Sequence, residues 1–259
     1  MNQIVSAQLY TLRDKLKTEE EFILGMNRLK EMGFTHVQFS GVPAPLSPVR
    51  VREILDSCGI LVCCSHMPWD KLLNDTERVA EDNLTMGCPI VGLSSYPENK
   101  LETREETLRF VAQIEKVSRV LQAHGLKFAY HNHTCEFHRF EGKTVLQHLR
   151  EMTDPAAVEF IFCCYWAQVG GVDPVAYLHE FAGRVSCCHY KDMVMLGGNR
   201  NFAPVGEGNM NYQAIWQACE QTGVRYALIE QDVCHGDPFE SMAISRANML
   251  AMGRAYDGE

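Results

Sequence analysis

The stretch VSCCHYKD (185–192) starts as a short apolar run and ends on His189, Lys191 and Asp192. At this length it reads as a strand buried on both faces that delivers ionisable groups at its C-terminal end. Seven other stretches are built alike: IVSAQLY (4–10), HVQFSG (36–41), ILVCCSH (60–66), PIVGLSS (89–95), KFAYHNH (127–133), VEFIFCC (158–164) and YALIEQD (226–232). Between them run segments of helical period with marked ends. Thr18 with Glu21, Thr103 with Glu106 and Asp237 with Glu240 have capping-box spacing, and Asp173-Pro174 and Asp237-Pro238 put proline at a first helical position. Strand and helix alternating eight times without a break predicts an α/β chain folded as one (β/α)8 TIM barrel over residues 1–259. An open doubly wound sheet is the alternative. It normally carries a glycine-rich first turn, and no GxGxxG follows the first strand here.

Composition narrows the function. With 259 residues, 46% of them hydrophobic, the chain can bury a large core. A formal net charge of -9 without a basic cluster argues against nucleic acid as a partner. The first residues lack a signal-peptide pattern and no apolar run approaches a membrane span, so no membrane partner and a cytoplasmic location are expected. Eleven cysteines, six of them in adjacent pairs (63/64, 163/164, 187/188), read as free thiols, because neighbours on a strand face opposite ways. The two longest connections, 41–48 and 193–211, both follow strand C-termini, the rim where a barrel builds its site.

The polar strand ends carry the chemistry. His66 ends the third strand, His131, Asn132 and His133 the fifth, His189, Lys191 and Asp192 the seventh, and Glu230 and Asp232 the eighth. Period-two alternation puts His131 with His133, His189 with Lys191, and Glu230 with Asp232 on common faces. Imidazoles and carboxylates gathered at one mouth can hold a divalent metal or move protons. A cation explains the grouping better, since buried carboxylates without one would cost on the order of several kcal/mol each. The other histidines read as structural. His36 opens a strand at the opposite end, His124 sits in a last helical turn, and His138, His148, His179 and His235 fall on loops or solvated faces.

At this point YHNHTCEF (130–137), YWAQVGGVDP (165–174), GRVSCCHYKDM (183–193), VGEGNMNY (205–212) and LIEQD (228–232), with VQFSG (37–41), together resemble the sugar phosphate isomerase/epimerase family, the xylose-isomerase-like barrels. The resemblance covers nearly the whole chain in order. It implies one divalent metal (zinc, manganese, cobalt, iron or magnesium) held by a Glu, an Asp, a His and a second Glu on four successive strands. It also implies isomerisation, epimerisation or dehydration of keto-sugars, sugar phosphates or inososes through an enediolate. Carried over, His189 matches the His ligand and Glu230 the second Glu, both ligand and proton shuttle, while Lys191 and His66 match positions that touch substrate oxygens. His133, Trp69 and Trp166 are further candidates for holding a sugar.

Two positions depart from the family pattern. The first Glu falls at His131, with Glu136 five residues on as a carboxylate supplied from the loop; either could be ligand and catalytic group. Cys163 stands where the metal-binding Asp is expected. It could ligate as a thiolate, which would favour zinc or iron(II). The thiol pairs in the third and seventh strands favour instead an inert buried thiol in a metal-poor site, and a one-residue slip that turns Cys164 inward is the third reading. The expectation is a metal-dependent isomerase or epimerase acting on a small-molecule carbohydrate. A lyase using the same enediolate and a metal-free sugar-binding or scaffold barrel are the alternatives. Whether the chain forms a homo-oligomer is open at this stage.

Overall fold

The structure, a computed structural model described over residues 3–96 and 101–257, closes eight parallel strands into a barrel. In chain order they are β1 (Ile4–Gln8), β2 (His36–Phe39), β3 (Leu61–Met67), β4 (Ile90–Leu93), β5 (Lys127–His131), β6 (Val158–Cys163), β7 (Val185–Tyr190) and β8 (Tyr226–Ile229). Each pairs with its sequence neighbour, and β8 closes on β1 with Ala7 opposite Ile229. Helices fill the connections. Their starts follow the sequence signals: Thr18 and Thr103 form complete capping boxes, and Asp173 caps the helix Pro174–Glu180. Among the described residues no helix is long and apolar enough to cross a membrane.

Two cores result. The larger lies between strands and helices, and its largest side chains are aromatics such as Phe22, Phe110, Phe160 and Phe181. The smaller plugs the barrel interior with Cys63, Ile90, Ala129, Ile161, Cys187 and Leu228. One adjacent pair divides between these layers, Cys187 facing the interior and Cys188 the helices, while Cys63 and Cys64 both lie in the interior core. All eleven cysteines are free. Gly92 on β4 makes room above the plug, because a Cβ there would press on Ser65 O, Ile161 Cδ1 and the His66 ring.

Three expectations change. The strands are shorter than their apolar runs: β5 ends at His131, β7 at Tyr190 and β8 at Ile229. His133, Lys191, Glu230 and Asp232 therefore lie just past the ladder, where the backbone is no longer held in a straight strand. The long connection 193–211 is largely structured, not loop. Asp192–Leu196 pairs antiparallel with Asn199–Ala203, turning through Gly197 and Gly198, whose φ values of 56° and 78° suit a tight two-residue hairpin turn. Its base is pinned by the Asp192 carboxylate, which accepts from the amides of Met193, Gly206, Gly208 and Met210 at 2.7–3.2 Å. Finally, His148 is buried rather than solvated. It stacks on Phe140 at 4.1 Å and its Nε2 bonds Phe140 O at 3.1 Å.

Candidate active site

Above the interior plug the C-terminal strand ends enclose a cavity of about 240 Å³. That is below the roughly 300–1,000 Å³ of pockets for drug-sized ligands and suits a smaller molecule. Its lining includes His66, His131 and His133 together with Lys191, Glu230 and Asp232. The alternation read from the sequence thus places its polar pairs on one cavity.

Four side chains go further and converge on a point. Ligand atoms of His131, Cys163, His189 and Glu230, all buried, lie within 4.8 Å of one another. The tautomers of both histidines are set by their second nitrogens. His131 Nδ1 faces the backbone carbonyl of Ser94 at 3.1 Å, an acceptor only, so Nδ1 carries the proton and Nε2 presents a lone pair. His189 Nε2 faces Gln38 Oε1 at 2.7 Å, which leaves Nδ1 bare in the neutral ring. His131 Nε2 and His189 Nδ1 are buried without a hydrogen bond, and His189 Nδ1 is only 2.9 Å from Glu230 Oε2. Two electron-rich atoms at that distance need a proton or a cation between them. This donor set fits a divalent ion in number, charge and direction.

Beside it, the Lys191 ammonium is 2.8 Å from both Glu230 Oε2 and Asp232 Oδ1. Burial works against its charge, but Glu230 and Asp232 overcome that and hold it above the ordinary lysine value. Burial also opposes charge on Glu230, yet Lys191 and His189 keep its carboxyl well below the usual range. Gln8 Nε2 donates to the other Glu230 oxygen at 2.9 Å. His66 and His131 are pushed well below the ordinary imidazole value, chiefly by burial and then by His189, so both stay neutral near pH 7. Trp166 flanks the site: Lys191 Nζ sits 5.2 Å from its ring centroid and the His133 ring lies at 5.6 Å.

Not every candidate joins the site. Glu136 is fully buried, but its oxygens accept from Tyr130 Oη at 2.5 Å and from the His133 amide at 2.8 Å. The short 3-10 turn Cys135–Phe137 folds it back toward β5, so of the two candidates for that corner it is His131 that meets the cluster. Trp69 packs edge-on against Phe110 at 5.1 Å and lines a neighbouring groove that shares Ser94 and Ser95 with the cavity. The pairing of β6 with β7 shifts register between Phe160 and Ile161, yet it is not Cys164 that is turned to the cluster. Cys163 turns inward, while Cys164 faces Cys188 among the helix-side residues, with the sulfurs 3.3 Å apart. Sequence reasoning missed Gln8, Gln38 and Ser94, which orient Glu230, His189 and His131. Gln8 ends β1 and Gln38 is the last but one residue of β2, close to where the recognised residues stand, but an uncharged side chain there raises no alarm.

The fold has counterparts among known proteins. Residues 26–241 match the model of the xylose isomerase-like TIM barrel family. The chain belongs to that family. An inosose dehydratase from Lacticaseibacillus casei is 25% identical over 156 residues, 53% of this chain and 52% of that protein, and further curated matches bear the same name. The chain spans about half the length of the first of these relatives. A sugar phosphate isomerase/epimerase from Parabacteroides distasonis superposes with a TM-score of 0.83 at 20% identity, covering 97% of this chain and 95% of that one. An IolI protein crystallised with a zinc atom superposes with a TM-score of 0.76 at 12% identity, covering 98% and 99%. Likeness at those identities speaks for the fold.

Proposed function

We propose that the chain is a metal-dependent enzyme that removes a proton next to the carbonyl of a small polyhydroxylated ketone and then expels a β-hydroxyl as water. The substrate class is inosose-like. The observation that carries the enolising step is the convergence of His131, Cys163, His189 and Glu230 beside the Lys191 ammonium at one small cavity. A bound divalent ion would polarise the carbonyl and stabilise the negative charge that follows proton loss. His131 Nε2, Cys163 Sγ, His189 Nδ1 and Glu230 Oε2 would hold it. Glu230 would also accept the α-proton. Lys191, a protonated ammonium between two carboxylates, would donate to the departing hydroxyl, so that proton and leaving group depart as water. His66, His133, Ser94 and Ser95 supply hydrogen bonds to the remaining hydroxyls from the cavity wall.

Elimination is favoured over the isomerase or epimerase expected from sequence for two reasons. An isomerase that shuttles protons between two glutamates needs the second one at the cavity, and Glu136 is turned away. The curated relatives are inosose dehydratases. Isomerisation or epimerisation is the second reading, supported by His133, which lines the same cavity as Glu230 and is a second group that could move a proton. Incubating the zinc-, manganese- or cobalt-loaded protein with an inosose and with keto-sugars in D2O tests both. A product lighter by one water supports elimination, and an isobaric product carrying solvent deuterium supports the second reading. If no substrate loses water or gains deuterium, the enolising assignment fails.

A further inference from the structure

Cys163 has no obvious reason to be at the centre of this cluster if it is only packing. Its neighbours Cys63 and Cys187 sit in the interior plug and Cys164 and Cys188 sit against the helices, all among apolar residues. Cys163 belongs to neither layer; it sits with two histidines and a carboxylate. Its backbone is clamped on both sides by one side chain: Asn132 Oδ1 accepts from Cys163 N at 2.8 Å and Asn132 Nδ2 donates to Cys163 O at 3.3 Å. That clamp ties the end of β6 to the residue after His131 and fixes two donors relative to each other.

Charge balance points the same way. Lys191 brings one positive charge and Glu230 and Asp232 one negative charge each. Adding a dication leaves these groups net positive; one further anion neutralises them, and among the described residues Cys163 is the other acidic group in the cluster. We infer that Cys163 binds the ion as a thiolate, making a centre of two imidazoles, one thiolate and one carboxylate that selects zinc, iron(II) or cobalt(II) over magnesium and manganese. This rests on the metal-dependent reading above. On binding, the thiol proton leaves to solvent and the sulfur–metal bond takes its place. Thiolate is a soft donor that magnesium and manganese accept poorly, so the substitution of sulfur for the expected oxygen changes which ion the barrel keeps.

Cobalt(II) titration of the metal-free protein, followed by absorption, tests the inference without any substrate. The expected result is visible ligand-field bands together with an intense near-ultraviolet thiolate-to-cobalt charge-transfer band, saturating at about one equivalent for a single four-ligand site. Cys163→Asp should keep the visible bands, lose the near-ultraviolet band, and shift the zinc-over-manganese preference toward manganese by about tenfold or more. Visible bands without the near-ultraviolet band in the unaltered protein would overturn Cys163 ligation and leave the metal-dependent reading standing. No cobalt uptake at all would overturn both. The spectrum of the unaltered chain decides the question, so it does not depend on a buried substitution folding.

Discussion

Lys191 shows how much one buried residue can carry. It is enclosed, ion-paired to Glu230 and Asp232, and faced by the rings of Trp166 and Tyr165. Lys191→Met keeps the stem but leaves Glu230 buried beside an apolar end. Breaking such a pair costs about 3–5 kcal/mol, and loss of a positioned proton donor costs about 10²–10⁴ in rate. Denaturant melts and turnover on the accepted substrate should show both, and a variant of unchanged rate would remove Lys191 from the chemistry. Glu136→Gln makes the opposite case. Because Glu136 holds Tyr130 and the His133 amide and not the cluster, the variant should keep its metal content and lose about 1–3 kcal/mol of stability from weakened charged hydrogen bonds. Metal loss in Glu136→Gln, measured by elemental analysis, would mean that this carboxylate reaches the ion after all.

At the scale of elements, all eight strands were legible because a strand covered on both faces must be apolar along its length, and each run is bounded by helix caps. Their ends were not. Apolar character and alternation continue past the last ladder bond in YALIEQD and VSCCHYKD, and only pairing to a neighbour shows that Glu230 and Lys191 have left it. Alternation nevertheless put His131, His133, Lys191, Glu230 and Asp232 on the correct side. His131 and Glu136 stayed alternatives in the sequence because a loop carboxylate has no period to place it; a 3-10 turn sets its direction. The hairpin 192–203 escaped because its strands are largely half-exposed or exposed, the apolar DMVML as well as the polar NRNFA, so burial leaves no alternating pattern in them. Asp192 is its anchor. Asp192→Ala strips an acceptor from four backbone amides and should speed hydrogen exchange or proteolysis selectively within 193–210, while the barrel strands stay protected. Equal loosening of the whole chain would contradict this local role.

The whole molecule places its cost and its function at one end. The lower barrel is plugged by small apolar side chains, the mouth gathers bare nitrogen, sulfur and carboxylate groups, and the strand order alone brings β5, β6, β7 and β8 side by side to supply them. A folded state that binds an ion the unfolded chain does not hold is stabilised by it. Zinc at about a hundred times its dissociation constant should contribute roughly 2.7 kcal/mol, a rise of roughly 5–10 °C in Tm for a chain of this size. The rise should vanish in His189→Ala, which removes a ligand from the centre of the cluster. An equal rise in that variant would place the zinc elsewhere.

The most direct measurement is elemental mass spectrometry on protein purified without chelator or affinity metal, before and after reconstitution with zinc. The arrangement of His131, Cys163, His189 and Glu230 predicts about one equivalent of a single divalent ion per chain, as for one four-ligand site, lost on dialysis against chelator and restored by zinc. A protein that carries no metal as purified and takes up none on reconstitution would contradict the metal centre, and with it the enolising chemistry built around it.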